Sequence, residues 1–128
     1  MIGNSIYSLL SGHAALTALV GTKIYPVQAP QAVEEPFLVY GISKTQPEET
    51  KANASAEDWV TVLVDVYAKN YDVMHSITRE VRTALDKQSG TIAGNSISDI
   101  VFQDFNDAWE SDRESYTGVS EYLVISTP

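Results

Sequence analysis

The sequence predicts an α+β domain, a mainly antiparallel four- to five-stranded sheet with two main helices packed on one face. Three observations carry this. Trp59 to Ala68 alternates: Val60, Val62, Val64, Val66 and Ala68 point one way, and Trp59, Thr61, Leu63, Asp65 and Tyr67 the other. Period two with β-branched residues is the pattern of a sheet strand. Shortly after, Met74, Ile77, Thr78, Val81, Ala84 and Leu85 recur at spacings of three and four, which makes one apolar helical face. The order of elements is helix, strand, strand, helix, strand, strand, which segregates helices to one side of a sheet. The aliphatic strand face and the helical stripe most simply bury each other.

The elements follow in order. Ile2 to Leu10 puts Ile6, Leu9 and Leu10 on one face, with a cap expected at Asn4 or Ser5 and a stop at Gly12. Ala14 to Val20 reads as a short second helical piece stopped by Gly21. Lys23 to Pro26 suits a small strand or an extended turn, and Val27 to Glu35, with Pro30 and no period, a loop. Pro36 leads a strand, Phe37 to Lys44, that is apolar on both sides. Thr45 to Ala56 is a long polar loop, of the kind that is often functional. Asp72 is the expected N-cap of the main helix, and Lys87 and Gln88 its end, with Gly90 as the stop. Thr91 to Ser98 suits a short strand, Ile100 to Phe105 alternates, and Asn106 to Ser115 reads as a polar turn or loop. Tyr116 to Ser126 closes the sheet, antiparallel to the strand before it because a short connection joins them. The sheet face away from the helices would carry Trp59, Asp65 and Tyr67, with Tyr40 and Tyr122 as further candidates. That face is too aromatic for plain solvent and too polar for a core, so it is a candidate interface.

The 128 residues suit a single domain, 1–128, and 44% hydrophobic with 20% charged is ordinary for a globular chain. There is no cysteine, which excludes disulfides and thiolate chemistry. Seventeen acids against eight bases give a formal charge of −9. Tight binding to phosphates needs lysine and arginine, so nucleic-acid binding and anionic membranes are disfavoured. The first twenty residues lack the basic segment of a secretory signal, and polar residues interrupt their apolar ones, so neither a leader nor a membrane span is expected.

Catalytic constellations are absent from the pattern. His13 and His75 are isolated, and a satisfied or solvated role is expected for both. Paired acids at Glu34–Glu35, Glu48–Glu49 and Glu57–Asp58, and the run Asp107, Glu110, Asp112, Glu114, lack the central glycine of a calcium loop and read as solvated. Asp65 stands out because it lies mid-strand; it is exposed, faces an interface, or pairs with Arg79 or Arg82. No GxSxG elbow and no P-loop lysine is present. Asn53-Ala54-Ser55 matches a glycosylation sequon without a secretory context. No enzyme activity, cofactor or metal is expected.

The chain resembles the tail-completion, or tail terminator, proteins of long-tailed bacteriophages. The resemblance rests on AALTALVGTKIYP (Ala14 to Pro26), PFLVYGIS (Pro36 to Ser43) and above all VLVDVYAKNYDVMHSITREVRTAL (Val62 to Leu85), in that order after an N-terminal helix. It implies a structural virion protein: a homo-hexameric ring at the tail–neck junction, assembled in the host cytoplasm. The ring would cap the major tail tube protein and meet the head–neck connector or stopper, with DNA passing its lumen without specific binding. On that reading Trp59, Asp65, Tyr67, Arg79 and Arg82 are candidates for the subunit interface. Gln46, Pro47, Glu48, Glu49 and Lys51 are candidates for contact between rings. Glu57, Asp58, Asp107, Glu110, Asp112 and Glu114 are candidates for an acidic lumen or seam. The alternatives are another neck protein, of head-completion or stopper type, and an unrelated α+β binding module.

Overall fold

The computed structural model describes residues 1–47 and 57–127. The chain runs α1 (Ile2–Ser11), α2 (Ala14–Val20), β1 (Ile24–Pro26), β2 (Phe37–Pro47), β3 (Asp58–Ala68), α3 (Tyr71–Leu85), β4 (Gly90–Ile92), β5 (Asn95–Glu110) and β6 (Ser115–Thr127). The strands form one sheet in the order β1-β2-β3-β6-β5-β4. Only β1 lies parallel to its neighbour; the other pairs are antiparallel.

The α+β class and the antiparallel core of the sheet are as predicted. The described strands are six rather than four to five, and the described helices are three rather than two. Ile24–Pro26 finds a partner in Leu38–Tyr40 and so becomes a strand. Gly90–Ile92 folds back on Asn95–Ile97. Its two turn residues, Ala93 and Gly94, both have positive φ (50° and 82°), which matches the right-handed twist of a tight hairpin. Ala14–Val20 is closed by Gly21 at φ 63°, as the sequence suggested.

The core is the predicted one. Val60, Val62, Val64, Val66 and Ala68 are buried against α3, whose Met74, Ile77, Val81 and Leu85 are fully buried. Each such side chain contributes about 1.5–3 kcal/mol by leaving water. Ile6, Leu10, Leu16 and Val20 extend the same cluster, so α1 and α2 lie on the α3 side of the sheet. α3 packs tightly on β6 at Gly118, where an added Cβ would lie 2.5 Å from Met74 Sδ.

Several local expectations are corrected. The α3 cap is Asn70, not Asp72: its Oδ1 accepts the Val73 N–H at 3.1 Å. α1 has no side-chain cap at Asn4 or Ser5, since it already begins at Ile2. Ser5 is buried instead, and its hydroxyl donates to the Ile92 carbonyl at 2.7 Å, tying α1 to the β4–β5 hairpin. α3 ends at Leu85 rather than at Lys87–Gln88, before Gly90. Its end is received by β5: Asp86 Oδ1 accepts the Phe102 N–H at 3.0 Å, and the Lys87 N–H donates to the Ile100 carbonyl at 2.7 Å. Asn106 to Glu110 is strand, not loop, because its backbone pairs with Ser115 to Val119 while its polar side chains stay in water. Tyr40 and Tyr122 belong to the core face: they stand in register with Val64 and Val62 and are buried. The predicted loop Thr45 to Ala56 begins as strand through Pro47, and the rest of it lies outside the described residues.

Candidate functional site

With the three described helices on one side, no described helix covers the opposite face of the sheet. Its rows follow from register. Val39, Asp65 and Val119 form one row; Gly41, Leu63 and Glu121 the next; then Lys44, Thr61 and Leu123; then Gln46, Trp59 and Ile125. A bulge between Ile42 and Lys44 keeps this alternation in step. Trp59 is 40% exposed, and Asp65 and Tyr67 are half-buried. The predicted interface residues of β3 therefore do share one surface, on which apolar side chains alternate with charged ones, Glu121, Lys44, Asp99 and Asp104 among them.

Asp65 is the carboxylate of this face set on the central strand β3, between Val39 and Val119. It lines a shallow depression of about 240 Å³ together with Val27, Val39, Gly41 and Leu63. Among the described residues it has no hydrogen-bond or ion-pair partner, and burial pushes its carboxyl above the usual range. Burial also raises the neighbouring Tyr67 phenol, and the Asp65 charge raises it further. Arg79 and Arg82 do not pair with Asp65 within the chain. They sit on α3, across the sheet.

There they border a second groove, between α3 and β5, lined by His75, Thr78, Phe102 and Phe105 as well as the two arginines. The Arg82 guanidinium lies 3.9 Å from the Phe102 ring centre, and its Nε is 3.7 Å from Asp86. His75 Nε2 stands 3.5 Å from Asp107 Oδ2, and the Tyr71 hydroxyl donates to the same carboxylate at 2.5 Å. The groove's hydroxyl, on Thr78, donates to the Met74 carbonyl at 2.9 Å, so it is bound to its own helix rather than poised beside the histidine. His13, the other histidine, meets Glu80 at 2.9 Å, a satisfied position that joins the α1–α2 junction to α3.

The acids separate into two groups. Glu57, which accepts from Ser98 at 2.9 Å, and Asp58 stand where β3 begins. Asp107, Glu110, Asp112 and Glu114 stand at the other end of the sheet, around the β5–β6 turn. The span of β3 puts these ends on the order of 30 Å apart, so they do not form one seam within a copy. Gln46 and Pro47 are exposed at the end of β2, while Glu48, Glu49 and Lys51 lie outside the described residues. Among the described residues, no three His, Cys, Asp or Glu side chains converge as a metal site. None of the described helices is long and apolar enough to cross a membrane.

One cluster escaped the sequence reading. Glu35, grouped there with solvated acids, has a side chain only 7% exposed. It accepts from Arg113 Nε at 3.0 Å and from the Ser115 hydroxyl at 2.5 Å. Burial alone would raise its pKa. The Ser115 hydroxyl, its own backbone N–H and Arg113 outweigh that and hold the carboxyl below its ordinary value. Arg113 also donates to the Val33 carbonyl at 2.7 Å and covers the Phe37 ring, which stacks on Tyr67 at 4.7 Å. The partners lie about eighty residues apart in sequence, so only Pro36, which fixes where β2 begins, hinted at the junction.

Fold and surfaces together define a class: a helix-backed, mainly antiparallel sheet domain whose distinctive groups, among the described residues, lie on its surfaces. The sequence pattern of one family, described as tail completion protein gp17, matches residues 4–126, and the chain belongs to that family. Among solved structures, a chain of the virion of a native gene transfer agent particle superposes with a TM-score of 0.79. It is 14% identical and the match covers 96% of this chain and 92% of that one, a likeness of fold. No curated protein matches the sequence.

Proposed function

We propose that the chain is a non-catalytic structural component of a phage-like particle. It forms a homo-hexameric ring at the tail–neck junction, assembled in the host cytoplasm. The ring caps the tail tube, presents a docking surface to the head–neck connector or stopper, and lets DNA pass through its lumen. Family membership and the virion origin of the structural relative support this reading. The observation on the molecule that supports it most is the pair of unlike surfaces, a sheet face that sets Asp65 among apolar side chains on one side and an arginine-bearing groove on the other. A closed ring is built from heterologous contacts, which need two different patches on every copy.

The charge suits the same role. At −9 per copy, a six-membered ring carries a formal −54 before counter-ions, a field that keeps DNA phosphates from adhering. With acids at both ends of the sheet, either end suits a lumen or a seam. Gln46 and Pro47, at the exposed end of β2, lead into the segment suited to contact with a neighbouring ring. The decisive experiment is deletion of the gene from its phage. The expected yield is DNA-filled heads beside unjoined, abnormal or over-long tails. Normal joined particles in the deletion would refute the reading.

A further inference from the structure

Resting on the ring reading, we infer that the outer sheet face of one copy docks on the α3–β5 groove of the next, with Asp65 received by Arg79 and Arg82. A carboxylate set between Val39 and Val119, with no donor among the described residues, is poorly solvated in the isolated copy. A buried or half-buried charge is tolerated when it is paired, so this position is completed by a cation from outside the chain.

Among the described residues few such cations are on offer; Lys87, exposed after α3, does not border the groove that Arg79 and Arg82 line. Lys23 donates to the Glu34 carbonyl, Lys69 to the carbonyls of Arg113 and Glu114, and Arg113 to Glu35. Arg79 is exposed and has no side-chain partner among the described residues. Arg82 is held in place over Phe102, its weak contact with Asp86 leaving the guanidinium's other nitrogens available. Both arginines border apolar surface from Phe102 and Phe105. Their groove thus matches the outer face in both respects, apolar area around a charge of opposite sign. A planar guanidinium also grips a carboxylate in two places, which suits an interface better than a solitary lysine.

The arrangement is directional. The face of each copy meets the groove of the next, and a face-to-face pair would leave the arginines unused. Lys44, two rows from Asp65 on the same face, would be the cation in such a pair. A charge swap separates these cases. One variant carries Asp65→Arg and the other carries Arg79→Asp with Arg82→Asp. Alone, each variant sets like charges against each other at every contact. Mixed, the two alternate around the ring and every contact is complementary again.

Light scattering reads the result. Wild type at high concentration is expected at about 84 kDa, six copies of 14.0 kDa. Each variant alone should stay at 14.0 kDa, and the equimolar mixture should return to the wild-type mass. Asp65→Asn, which keeps the side chain's shape, should raise the concentration needed for half-assembly by at least about tenfold. It serves if Asp65→Arg loses its circular dichroism spectrum. Assembly of either charge-reversed variant alone, or a folded mixture that stays monomeric, overturns the docking and leaves the ring standing. So does wild-type-like assembly of Asp65→Asn. A wild type that remains at 14.0 kDa at every concentration overturns the ring and the docking together.

Discussion

Replacing Glu35 by glutamine keeps the side chain's shape and removes its charge, so the substitution isolates what the carboxylate contributes to the folded chain. The carboxylate accepts from Arg113 at 3.0 Å and from Ser115 at 2.5 Å while almost fully buried. Hydrogen bonds to a charged group are worth about 1.5–3 kcal/mol each. Arg113 is 29% exposed and regains water when its partner is neutralised, which discounts the loss. A net destabilisation of about 2–3 kcal/mol remains. With a urea slope of about 2 kcal/mol per molar, the unfolding midpoint should fall by about 1–1.5 M near neutral pH. The pH dependence supplies the sign. A folded pKa below the ordinary value of 4.5 means the stabilisation is fully present above that value and is lost as pH falls through the folded pKa. The gap between wild type and Glu35→Gln should therefore narrow in acid, below the ordinary value, as protonation removes the charge that glutamine lacks. Urea titrations at about pH 7 and about pH 3 measure it. A gap below about 0.5 kcal/mol at neutral pH, or one of equal size at both pH values, would refute the argument.

Two further substitutions test the packing and the backbone. Gly118→Ala places a methyl 2.5 Å from Met74 Sδ and 3.1 Å from both Phe105 and Thr78. It should cost about 1–3 kcal/mol, and less when combined with Met74→Ala in a double-mutant cycle; strict additivity would show that the two sites do not touch. Val27→Gly addresses the tight turn in which the Gln28 N–H reaches the Pro26 carbonyl at 2.6 Å around a valine at φ 65°. Val27 is 79% exposed, so little packing is lost. Relief of strain, less the greater freedom of glycine in the unfolded chain, should raise stability by about 0.5–1 kcal/mol. A lowered melting temperature would contradict it.

What the sequence made legible was local and periodic. The β3 alternation and the α3 stripe could be read because one side of each is uniformly apolar, and Gly12 and Gly21 because a helix stop has its own residue chemistry. Tyr40 and Tyr122 were ambiguous for the opposite reason: their strands are apolar on both sides, and only register with Val64 and Val62 decides which way they point. Asn106 to Glu110 reads as loop on polarity, although a strand whose side chains stay in water needs no apolar residues. Asn70 and Asp72 are both good caps, and only the turn's geometry selects Asn70. The Glu35 junction and the separation of the acids depend on chain segments meeting across the fold, which no spacing encodes.

The tryptophans stand on opposite sides of the sheet. Trp59 belongs to the outer face, whereas Trp109, 54% exposed, meets Tyr116 edge-on at 4.9 Å on the helix side. The protein thereby carries two tryptophan reporters, one per surface, and needs no added dye. Covering the outer face would shift the emission of Trp59 toward the blue while leaving that of Trp109 to report on the end of the β5–β6 hairpin. A single Trp59→Phe or Trp109→Phe replacement then gives each surface its own optical channel, and assembly can be followed in real time.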